Sequence, residues 1–156
     1  MTLSRRRRIT ALTVAAGVLF SATGAAASSP SRSQLASRFT AISNTLVHAG
    51  TAFGTVVGPL VNHGASGQII YSKAALPFIK AIQTGDKDLL SMGANGKTEV
   101  DIKALVVVDV KLISDLHSVA TETAKEVPGW TQILAKDATS TSTLTNKIRS
   151  DLGIQS

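Results

Sequence analysis

Asp109 stands alone among the aliphatic residues of KALVVVDVKLISDL (103–116), and it has the strongest claim in the chain to a chemical role. Burying an unpaired carboxylate is costly, so Asp109 needs a partner: a structural hydrogen bond or ion pair, or the polar end of a ligand. As an anchor it would suit a hydroxyl or a protonated acid and would repel an ionised fatty acid. The histidines do not extend this into a metal site. His48 falls on the polar side of the first periodic segment, His63 lies in a turn cluster, and His117 follows Asp109 without a second close ligand. The serines form no Gly-x-Ser-x-Gly elbow and the glycines no phosphate loop, so neither an enzyme nor a cofactor is expected. Lys73, Lys80 and Lys87 recur every seven residues. Such a row could meet anionic head groups or simply face solvent.

Gly50, Gly54 and Gly58 are four apart beside an apolar seam. Each costs a helix about 1 kcal/mol relative to alanine, so close helix approach or space left for a ligand chain should offset it.

The elements that would position these residues are legible as helices. Leu35, Phe39, Ile42, Leu46, Ala49, Phe53, Val56 and Leu60 alternate spacings of four and three, which aligns them on one side of a helix that Pro59 and Asn62-His63-Gly64 end or bend. A second helix from about Ser66 to Met92 carries Tyr71, Ala75, Phe78, Ile79, Ile82, Leu89 and Leu90 on one face. Pro77 should kink it or delay its start, and Gly85 weakens it. After the turn MGANGK, Thr98-x-x-Asp101 resembles a capping box. In the third helix Ile102, Leu105, Val106, Val108, Val110, Leu112, Ile113, Leu116 and Val119 span an arc of roughly 200°, suited to neighbours on two sides. A strand over VVVDV is the competing reading, opposed by the long helical flanks. Val127-Pro128-Gly129 breaks the chain. Trp130, Ile133, Leu134, Thr141, Leu144, Ile148 and Leu152 then line a fourth helix, poor in large apolar groups at its middle and capped by Gly153. The expected fold is all-α, an antiparallel bundle of four helices, or five if a proline splits one.

The amino end reads as an address. Arg5 to Arg8, the short apolar run ITALTVAAGVLFSATG and the small residues Ala25 to Ala27 predict a signal peptide over 1–27, followed by a flexible leader, 28–33, and one helical domain, 34–153. Four of the 16 basic residues lie in that signal, which leaves 12 against 10 acidic ones. A nearly balanced charge without a nucleic-acid motif argues against nucleic acid as a partner. No transmembrane segment is expected after signal cleavage. With no cysteine, packing alone must hold a domain sent to an oxidising compartment.

The whole pattern resembles the fungal hydrophobic surface binding protein A family, which includes cell-wall galactomannoproteins. The likeness runs over residues 34–152 through AALPFIKAIQTGDKDLL, ALVVVDVKLISDLHSVATETAKEVPGW and TQILAKDATSTSTLTNKIRSDL. Asp109-Val110 with Leu112, Ile113 and Leu116 stand where that family carries an aspartate between aliphatic residues. The resemblance implies a secreted or wall-associated bundle that adsorbs to hydrophobic surfaces or holds fatty acids or other lipids between its helices. Cell-wall polysaccharide or a secreted enzyme are further partners it admits. A structural wall protein with no small ligand is the alternative. The apolar seams expected to meet a ligand contain Phe53, Phe78, Ile79, Leu105, Leu112 and Trp130, with Asp109 as polar anchor.

Overall fold

The structure, a computed structural model, describes residues 29–59, 64–121 and 130–155. The expected signal peptide, Leu60, Asn62, His63, the break at Val127-Pro128-Gly129 and the side chains of Val119 and Trp130 lie outside the described residues. Among the described residues four helices follow one another: α1 (Arg32–Val57), α2 (Gly64–Leu90), α3 (Gly96–Thr121) and α4 (Trp130–Leu152). The VVVDV stretch is helical, and there is no strand among the described residues.

Local chemistry sets the helix ends. The Ser31 hydroxyl accepts from the Gln34 backbone N–H at 3.2 Å while the Gln34 side chain accepts from the Ser31 N–H at 2.8 Å. This reciprocal cap starts α1 at Arg32, so Ser31 to Ser33 belong to the helix start rather than to a leader. α2 runs through Pro77 and its start is not delayed. Between α2 and α3, Gly93 has φ 74° and a side chain there would press on the Pro30 ring. Glycine meets both demands. α3 begins at Gly96, so Thr98 lies inside it and does not cap; Asp101 instead faces Lys97 at 3.7 Å. At the far end Gly153 (φ 72°) donates to the Ser150 carbonyl at 3.1 Å and Ile154 to that of Arg149 at 2.9 Å, the paired bonds of a glycine-terminated helix.

Two core clusters define the topology. Leu35 and Phe39 of α1 meet Leu89 near the end of α2, Met92 just past it, Ile102 and Leu105 at the start of α3, and Ile148 and Leu152 at the end of α4. At the other end, Val57 closes α1 against Tyr71, Ala75, Ile79 and Ile82 of α2, Leu112 and Leu116 of α3, and partly buried Leu134 of α4. Starts meeting ends at both poles makes the bundle antiparallel and up-and-down. α1–α2, α2–α3 and α3–α4 pack extensively, while the closing α1–α4 seam is the loosest of the four. Lys97 ties the start of α3 to Asp151 of α4, and the Ser72 hydroxyl donates to the Ala120 carbonyl at 2.6 Å to join α2 and α3.

Several apolar residues lie elsewhere than their spacing implies. Val56 is exposed and Val57 takes its place in the core; Leu90 and Val110 are exposed too. The α3 core contribution is narrower than the expected arc: Ile102, Leu105, Asp109, Leu112 and Leu116 are buried, whereas Val106, Val108 and Ile113 are half-buried.

A candidate ligand cavity with a carboxylate wall

Between the two clusters, along the loose α1–α4 seam, lies a cavity of about 520 Å³. Its cause is side-chain size. α4 offers Ala135, Ala138, Thr141, Ser142 and Thr145, and α1 offers Ser43 and Gly50, where a packed bundle would need leucines. Val47, Ala135, Ala138 and Ser142 line the space and are exposed, so its mouth follows this seam. The volume falls within the range of small-molecule pockets, and a closed apolar void of about 150 Å³ already suffices for benzene.

Phe53, Phe78, Leu105, Leu112 and Asp109 line the cavity. Phe78 stacks on Phe53 at 5.2 Å between ring centres, and Tyr71 makes a T-shaped contact with Phe53 at 5.5 Å. Ile79 does not line it: its side chain is turned into the second core cluster. The Trp130 side chain is outside the described residues. Of the three spaced glycines only Gly50 meets a neighbour, with the Phe78 ring 3.5 Å from where a Cβ would stand; Gly54 and Gly58 face open space. The close approach belongs instead to Gly85, which admits the Leu46 methyls at 3.1 Å from its notional Cβ.

Asp109 is 2% exposed and accepts a hydrogen bond from the Thr141 hydroxyl at 3.1 Å. Its second partner is Asp86 of α2, likewise buried. Burial pushes the Asp86 carboxyl up to about 7, and the charge of Asp109 and the hydrogen bond between them push the same way. Burial also raises Asp109, opposed by the hydrogen bonds from Thr141 and Asp86. Two carboxyl groups in one desolvated site cannot both ionise cheaply, so the pair holds a proton up to about neutral pH. Asp86 continues the buried series Ile79, Ile82, Leu89 at helical spacing, the same signal that marks Asp109, yet in TGDKDLL, beside Lys87 and Asp88, it reads as part of a charged surface turn. A separate acidic pair on the α3–α4 face shares Lys111, 2.5 Å from Asp115 and 2.8 Å from Asp137, and burial pushes the Asp137 carboxyl up despite that contact.

Position along the helices orders the cavity lengthwise. Ser43, Thr141, Ser142 and Thr145 stand at the level of Asp109 or toward the first cluster, among the apolar Phe39, Ile42, Leu89 and Leu105. Toward the second, the lining is Val47, Gly50, Phe53, Phe78, Ile82, Leu112, Leu116, Leu134 and Ala135, without a polar side chain. Among the described residues no set of histidine, cysteine, aspartate and glutamate is grouped to hold a metal ion, and no helix is long and apolar enough to cross a membrane. No family model matches the chain, and neither a curated protein nor a solved structure does.

Proposed function

We propose that this is a secreted lipid-binding protein that holds one acyl chain, of a fatty acid or another single-chain lipid, between α1 and α4. The observation that carries the reading is the cavity of about 520 Å³, wholly apolar toward one pole and carrying Asp109 and hydroxyls among apolar side chains toward the other, in a bundle otherwise packed at both poles. Each methylene moved from water into it contributes about 0.8 kcal/mol, so a long chain supplies ample gross binding energy with few polar contacts. The resemblance to hydrophobic surface binding proteins and the signal-like amino end support the same reading. Native mass spectrometry of the secreted protein should find a lipid adduct, and monopalmitin or palmitate should displace Nile red. If no lipid co-purifies and neither compound displaces the dye, the cavity is not a lipid site and a purely structural wall role replaces it.

Adsorption to an apolar surface is a second reading, favoured by Val100, Val107 and Val110, which lie exposed on α3. Depletion of the protein onto a hydrophobic resin, lost when the three valines become threonine, would support it.

A further inference from the structure

The cavity's polar groups are of one kind. Asp109 is the ionisable side chain in its wall, and no lysine, arginine or histidine lines it among the described residues. The hydroxyls of Ser43, Ser142 and Thr145 line it as well and make no hydrogen bond to the protein among the described residues. Thr141 already donates to Asp109. An ionised carboxylate brought to this end would meet a like charge without a counter-ion, in a site where water screens poorly. A hydroxyl head would donate to the carboxylate and accept from the free serine and threonine hydroxyls. The opposite, wholly apolar end places the chain tail against Phe53 and Phe78.

We propose that the cavity selects single-chain lipids by head group, seating a long-chain alcohol with its hydroxyl at Asp109, Ser142 and Thr145 in preference to the ionised fatty acid. This rests on the reading of the cavity as a lipid site. Selectivity of this kind arises because a buried polar group left unpaired or opposed by a like charge penalises the wrong ligand more than a good contact rewards the right one.

The test holds chain length constant. Dodecanol, methyl dodecanoate and dodecanoate are titrated against the mature protein at pH 8 by Nile red displacement. Dodecanol should bind at least tenfold more tightly than dodecanoate and also more tightly than the ester, which cannot donate. Asp109→Asn, checked for folding by thermal unfolding, should narrow the gap between dodecanoate and the alcohol severalfold by removing the charge from the cavity wall, with that of Asp86 remaining behind it. Should that variant fail to fold, Ser142→Ala combined with Thr145→Val serves instead: both sites are at least partly solvent-accessible, and dodecanol affinity should fall severalfold with dodecanoate unchanged. Equal wild-type affinities for alcohol and carboxylate, or unchanged dodecanol affinity in the double variant, overturn the head-group proposal while leaving the lipid cavity standing. Failure of all three compounds to bind overturns both.

Discussion

Asp86 and Asp109 make stability depend on pH in a definite direction. An aspartate in the unfolded chain titrates near 3.9, whereas burial pushes Asp86 up to about 7 in the fold. A group raised in this way contributes stability that is fully present below the unfolded value and lost as pH rises through the folded one. Asp151, held below the usual carboxylate range by Lys97, acts oppositely, and so does Asp115, which burial alone would raise but Lys111 pulls down. Their contributions are present above the ordinary carboxylate range and lost as pH falls, so they change little above pH 5. Asp109 and Asp137, which burial also raises, act in the same direction as Asp86. Urea unfolding should therefore show stability falling by at least about 1 kcal/mol between pH 5 and pH 7.5, and Asp86→Asn should reduce that slope. An unchanged slope in the variant would remove Asp86 as its source. The need for a partner at Asp109 was readable from its place between Leu105 and Leu112. The partner's identity was not, because Asp86 meets Asp109 only when α2 and α3 are side by side.

Among the elements, the glycines separate cost from use. Gly54 is a helix-interior residue of α1 with nothing within 4 Å of a notional Cβ, so Gly54→Ala should stabilise the protein by about 1 kcal/mol through helix propensity alone. Gly85→Ala should gain less, because the Leu46 methyls at 3.1 Å must turn toward the cavity to admit the new Cβ. Thermal unfolding of the two variants measures the difference, and equal gains would mean that Leu46 repacks freely. Helical spacing located all four helices, yet misassigned Val56, Leu90 and Val110. A repeat of 3.6 residues fits several neighbouring apolar positions over 26 residues, and only the partner helix decides which of Val56 and Val57 it covers. The Ser31–Gln34 cap is local, and Ser-x-x-Gln was visible in SRSQ; the Thr98-x-x-Asp101 pattern competed with a glycine turn that starts α3 earlier.

For the whole molecule the cavity sits at the weak seam, so filling it should trade binding for packing. Ala138, at the mouth on α4, is the position to enlarge. Ala138→Phe should leave the helical circular dichroism unchanged while nearly abolishing the rise in Tm that monopalmitin causes in the parent. With ligand at a hundred times its Kd that rise corresponds to about 2.7 kcal/mol, several degrees for a domain of this size. An undiminished rise in the variant would place the ligand elsewhere.

The sequence by itself determined the all-α class, a bundle of four or five helices, most of their amphipathic positions, the Gly153 terminus and the poverty of large side chains in the middle of α4, because each rests on near-neighbour spacing and residue volume. Tertiary structure alone decided that this poverty lies opposite Ser43 and Gly50 of α1, that Ile79 turns into the core while Phe78 lines the open space, and that Asp109 faces both Asp86 and the cavity. Those outcomes depend on which helix faces meet and at what height, and that is a balance of packing among residues far apart in the chain, which no local spacing contains.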